Sequence, residues 1–289
     1  AGEPAAGPAS SFHVQPTRVI AVDWSGARAG HERKVWLAEV ADGALQRLVN
    51  GRTRAAVTAE LVAIARAAPL AGERVVIGLD FSFGFPRWYL DARGWTRGHD
   101  AWRAFSESAV DALLAAPAFP FWGRPPLRRR PAGLVDGSGT PALRDTERAL
   151  VGIARPFSVF QLVGAGAVGV ASLRGMATLA ALADAGATVW PFDEDAGGAG
   201  AVVAEVWPRL AAPTVTKSRA ADRAAHVDRL AGRIAFTSVH REAATASDDA
   251  FDALAAAAWL WEQRSVLARL PDDSTDAERC EGRILGARA

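Results

Sequence analysis

Residues 19–26, VIAVDWSG, constrain the fold more than any other stretch: four apolar residues in a row run directly into an acid and a Ser-Gly break. A run of this kind reads as a strand buried on both faces, which requires a sheet covered by helices. The pattern returns at residues 75–80, VVIGLD, and at residues 202–207, VVAEVW. Three candidate strands therefore carry an acid near the C-terminal end, Asp23, Asp80 and Glu205. A fourth acidic group, Asp249 and Asp252, opens an apolar helix predicted over 247–261.

Ligands of open α/β sheets gather outside the carboxyl ends of parallel strands. Strands about 4.8 Å apart would bring carboxylates together there, and like charges so close repel unless a cation or proton intervenes. An oxygen-only donor set favours Mg²⁺ or Mn²⁺ over zinc. On the helix, Asp249 and Asp252 share one side and Asp248 flanks them. Plain structural readings exist for most of these acids. Asp23 and Asp80 sit where strand-end residues cap loops. Ser247 suits an N-cap, and Asp248 and Asp249 suit the first-turn dipole. Asp252 lies past that turn, between Phe251 and Ala253, where an unpaired carboxylate is costly.

At 289 residues and 50% hydrophobic content the chain supports a large core, as one large domain or two small ones. A formal net charge of +1 excludes a bulk electrostatic argument for a nucleic-acid or membrane partner, so any basic surface must be local. Lys34 and Lys217 are the only lysines, so arginine carries nearly all the positive charge. Cys280, the single cysteine, excludes an intrachain disulfide, a thiolate zinc site and a CxxC pair, and suggests a reducing cytoplasm. The sequence has no apolar run of membrane-spanning length and no signal-peptide order at its start, so a soluble protein with no membrane partner is expected.

Residues 1–17 are expected to be disordered and 18–286 to form one domain. The first strand runs from Arg18 to about Trp24. Residues 34–40 alternate, and a turn at Asp42-Gly43 leads into 44–49, which together predict an antiparallel meander. A helix over 54–68 returns the chain to 75–80, implying a right-handed crossover and parallel pairing with the first strand. Residues 81–186 read as an insertion, with helices over 101–115, 140–154 and 170–185 and a Pro/Gly/Arg-rich loop over 117–139. Strands over 188–192 and 201–207 follow, then helices over 219–232 and 247–267.

VIAVDWSG, GLDFSFGFP, AEVWPR and DDAFDALAAA, in this order and spacing, resemble the uncharacterised family of predicted RNase H-like nucleases, domain of unknown function family 429. The resemblance covers most of residues 18–286. It implies an RNase H-like mixed five-stranded sheet, with an antiparallel meander plus parallel strands, flanked by helices. It implies a site at Asp23, Asp80, Glu205, Asp249 and Asp252 similar to that of the RuvC resolvases. The sequence departs at Glu281-Gly282-Arg283-Ile284, where an aromatic is expected after the glycine. If the site is catalytic, two cations about 3.5–4 Å apart would serve an in-line displacement at phosphorus. Asp23 would bridge them, Asp80 and Asp252 would each hold one, and Asp249 and Glu205 would complete or orient the set.

Several further features bear on a nucleic-acid partner. Lys217 follows the Glu205 strand and is a candidate phosphate contact, or an exposed lysine without a role. Residues 119–131, FPFWGRPPLRRRP, place Trp122 among Arg124, Arg128, Arg129 and Arg130, which suits a single strand and equally a solvated loop. Gly164, Gly166 and Gly169 fit GxGxxG, which suits close backbone packing or phosphate contact, with dinucleotide binding as the alternative. Arg87, Trp88, Tyr89, Trp95 and Trp102 suit a cleft wall or the insertion's own core. No HExxH, Walker A or G-x-S-x-G pattern occurs. The expected function is a metal-dependent nuclease acting on DNA or RNA. A nucleotide-binding protein and a non-catalytic scaffold of the same fold are the alternatives.

Overall fold

The computed structural model describes residues 13–135, 139–164 and 166–287. Six strands form one mixed sheet: β1 (Pro16–Asp23), β2 (Trp36–Ala41), β3 (Ala44–Val49), β4 (Arg74–Asp80), β5 (Thr188–Trp190) and β6 (Gly200–Glu205). Their spatial order is β3-β2-β1-β4-β6-β5. The meander β1-β2-β3 is antiparallel, and β1, β4, β6 and β5 pair in parallel. The sheet thus has six strands where five were expected. Five is the number the resemblance implied; β5, the edge strand, is the strand expected over 188–192 shortened to three residues, and Glu205 stands on the sixth strand rather than the fifth.

The helices are α1 (Arg54–Leu70), α2 (Arg87–Asp91), α3 (Gly98–Ala104), α4 (Glu107–Ala115), α5 (Asp145–Ala149), α6 (Gly169–Asp184), α7 (Pro208–Ala211), α8 (Ala220–Leu230), α9 (Ser238–Ala246), α10 (Asp248–Glu262) and α11 (Asp276–Glu281). Strand alternation sorts them into two layers. Ile20, Val22, Val75, Ile77, Leu79 and Val203 pack with α1, α6 and the insertion. Val19, Ala21, Val76, Val202 and Ala204 pack with α8, α9 and α10. The alanines of α10 lie against β1 and β2, and Gly78 faces the same helix. A Cβ on Gly78 would stand 2.8 Å from Leu260, so this glycine permits close seating of α10.

Several boundaries differ from the sequence reading. The helix expected over 101–115 breaks at Phe105, because Ser106 accepts the Ala109 N–H and starts α4 afresh. The one expected over 140–154 shrinks to α5, since residues 140 and 142 bond with Val135 instead. The final long helix stops at Glu262, before a 3₁₀ turn at Val266–Ala268. β1 begins at Pro16, inside the segment expected to be disordered; residues 1–12 of that segment lie outside the described residues. Residues 136–138, which include most of Gly137-Ser138-Gly139, also lie outside them. Tyr89 and Trp102 are buried, with Trp88 and Trp95 packed on them, so these aromatics form core; Arg87 is exposed and pairs with Asp91. Among the described residues no helix is long and apolar enough to cross a membrane.

Candidate metal centre

Asp23 and Asp80 end β1 and β4, and they are register partners in the parallel pairing. Counting back by twos, Asp23 shares a face with Ala21 and Val19, and Asp80 with Gly78 and Val76, which is the face covered by α10. Ser247 caps α10 through the Ala250 N–H at 3.2 Å. Asp252 lies one turn further in, where the helix crosses the ends of the two strands. One oxygen from each of Asp23, Asp80 and Asp252 lies within 4.8 Å of the other two.

Asp252 is buried, and Asp23 and Asp80 are half-buried. Loss of hydration, and then the charges of Asp80, Asp252 and Asp249, push Asp23 well above the usual carboxylate range. Desolvation, followed by Asp252, pushes Asp80 up to about 7. Asp252 and Asp249 are raised by burial as well. Lys217 Nζ pairs with Asp252 and lowers the pKa of all four acids. Three carboxylates against one ammonium leave an excess of negative charge, which a divalent cation would neutralise. The donors are hard oxygens only, which fits Mg²⁺ or Mn²⁺.

Glu205 is not part of the trio. β6 pairs with β4 so that Glu205 stands opposite Leu79, whose side chain belongs to the other face of the sheet. There Glu205 takes Arg144 in a two-pronged ion pair at 2.5 and 2.8 Å and accepts the Phe83 N–H at 3.0 Å. Arg144 is fully buried and also holds Glu147 at 2.9 Å. The carboxylate is therefore satisfied within the fold, and the expected ligand role does not match its surroundings. The C-terminal segment closes over this network. Leu285 N–H donates to the Glu205 carbonyl at 2.8 Å, and Glu281 accepts the N–H groups of Arg87 and Asp145 at 2.6 and 2.8 Å. Arg283, which follows Gly282 in this segment, pairs with Asp273 at 2.8 Å.

Two clefts flank the trio. One of about 510 Å³ is lined by Asp23, Asp249, Arg28, Lys34, Arg124 and Arg174. The other, about 680 Å³, is lined by Asp80, Asp252, Asp248, Arg155, Arg209 and Lys217. Ala167 borders both. Asp249 thus stands in the Asp23 cleft, outside the close trio. Arg54 fixes the loop behind Asp23, donating to the carbonyls of Ser25 and Ala27 at 3.1 and 2.8 Å.

The remaining residues divide. Arg124 lines a cleft, and Arg130 lines a third of about 970 Å³, while Arg128 and Arg129 are exposed. Trp122 is largely buried in the insertion's core and borders that third cleft together with Arg130. Among the described residues no strand runs directly into the glycine loop, where the nearest β pairing is a single bridge between Gln161 and Trp122; Ala165 lies outside them. An added Cβ at Gly169 would stand 2.5 Å from the Val159 carbonyl, and one at Gly166 2.2 Å from the Phe157 ring. Both glycines serve close packing here, without the strand a dinucleotide fingerprint needs. Sequence reasoning missed Arg54, Arg28, Arg174, Arg155 and Arg209. Arg174 carried a signal, a lone charge within the apolar helix ASLRGMATL. Comparison with known protein families, curated proteins and solved structures finds no match for this chain.

Proposed function

We propose that the chain is a divalent-metal-dependent nuclease hydrolysing phosphodiester bonds of nucleic acid. The convergence of Asp23, Asp80 and Asp252 from two strands and a helix carries this reading. Buried acids so close raise one another's pKa and destabilise the empty fold, an arrangement that a cation makes favourable. The mixed sheet, with its meander followed by parallel strands, is consistent with an RNase H-like arrangement.

A bound cation would supply Lewis-acid charge to a phosphoryl oxygen. Asp23, Asp80 and Asp252 would hold it in their deprotonated forms. Asp249 borders the cleft beside Asp23 and would be the added donor for a second cation. Lys217, more than half exposed, would leave Asp252 on metal binding and neutralise a substrate phosphate. Arg28, Lys34 and Arg124 would bind the flanking phosphates, where phosphate contact supplies most of the affinity.

The test is cleavage of labelled single-stranded and duplex DNA and RNA. Mg²⁺ or Mn²⁺ is expected to support hydrolysis that chelation stops and Asp23→Asn abolishes. Metal-independent cleavage, or full activity in Asp23→Asn, would refute the reading.

A further inference from the structure

We propose that the cleft beside Asp80 and Asp252 binds unpaired bases, which makes single-stranded nucleic acid the substrate class. The inference rests on the phosphodiesterase reading of the same site. Phe157 and Trp207 are half-buried, and both line this cleft together with Asp80. They border the narrow slot beneath Asp80 as well. Most of the insertion's other aromatic rings are buried in its core, so Phe157 is placed differently, and Trp207 reaches the same cleft from just after β6.

Both rings are held in place. Phe157 lies so close to Gly166 that a Cβ there would overlap it, which pins one side of the ring while it still borders the cleft. Trp207 packs against Leu150, Ile284 and Ala287. The Arg155 guanidinium lies 6.0 Å from the Phe157 ring centre, and Arg209 and Lys217 complete a basic rim. Aromatic faces beside phosphate-binding cations suit bases outside a duplex, because paired bases have no free face to stack. Past Arg155 and Phe157 the cleft adjoins the third one, lined by Arg130 and Arg148, so a strand has room to continue.

The distance from the metal trio matters to the chemistry. Asp80 belongs both to the trio and to the cleft, so a base stacked there would adjoin the phosphate under attack. A rigid duplex offers only its backbone to this surface.

The experiment measures binding of fluorescent twelve-nucleotide oligo-dT, oligo-U and a twelve-base-pair duplex, at one salt concentration, with Ca²⁺ replacing Mn²⁺. Both single strands are expected to bind about tenfold or more tighter than the duplex. Phe157→Leu and Trp207→Leu keep apolar packing and are expected to weaken single-strand binding about fivefold or more each, leaving the duplex unchanged. Duplex binding as tight as single-strand binding, or unchanged affinity in both folded leucine variants, overturns the inference. Mn²⁺ assays on the same preparations separate the two readings. Cleavage of duplex that neither leucine variant affects keeps the nuclease and removes the base cleft. Single-strand preference without any cleavage keeps the cleft and removes the nuclease.

Discussion

Asp23 and Asp80 stand opposite each other in the parallel register of β1 and β4, so the two strands end in neighbouring carboxylates on one face of the sheet. Asp252 reaches the same point from α10, and Lys217 is its ion-pair partner. The site's behaviour with pH, cation and mutation follows from that crowding.

Asp80 should make the metal-free protein less stable as pH rises. Its folded pKa of about 7 lies above the ordinary 3.8, so the folded state holds the proton more tightly than the unfolded chain. Its stabilising contribution is full below about pH 4 and is lost as pH rises through 7. Cation binding needs the deprotonated form, so the Mn²⁺-induced rise in Tm should be larger at pH 8 than at pH 5.5. Differential scanning fluorimetry at the two pH values checks this.

Asp80→Asn removes one charge from the trio. The variant should melt at a higher temperature than the parent at pH 8 without divalent cation, and should lose its Mn²⁺-induced shift. Melting curves with and without Mn²⁺ give both readings.

Lys217→Met should act in the reverse sense. Without its ammonium the acids lose a counter-charge, so the metal-free fold should weaken and Mn²⁺ should bind at least as tightly as in the parent. Phosphodiester cleavage should fall, because the phosphate contact is gone. A variant that binds Mn²⁺ more weakly would show that Lys217 supports the metal rather than competing with it.

Glu205→Ala should cost stability and leave the metal site intact. Removing one partner of a buried ion pair costs about 3–5 kcal/mol, with Arg144 left short of a counter-charge. Urea unfolding measures the loss, and Mn²⁺ binding by the folded fraction should be unchanged.

Sequence spacing carried Asp23 and Asp80, because a buried run ending in an acid states both the strand and its end, and Asp252, because an acid past a helix's first turn among apolar residues is costly without a partner. It could not carry Glu205. VVAEVW has the same form as VVIGLD, but which sheet face an acid meets depends on register, and a one-residue difference in pairing reverses it. β6 pairs Glu205 with Leu79 rather than with Asp80, and the acid points to the opposite layer. Arg144 showed only part of its network locally, Glu147 three residues on, because its other partner, Glu205, lies far away in sequence. Composition also does not tell a solvated loop from one folded over its own core, and Trp122 is largely buried in that core while bordering the third cleft.

Calorimetric titration with Mn²⁺ at pH 8 tests the central claim most directly, comparing the parent with Asp23→Asn, Asp252→Asn and Glu205→Gln. Binding is expected in the parent and in Glu205→Gln and is expected to vanish in both aspartate variants. A parent that takes up no Mn²⁺, or an Asp23→Asn variant that binds as the parent does, would contradict the assignment.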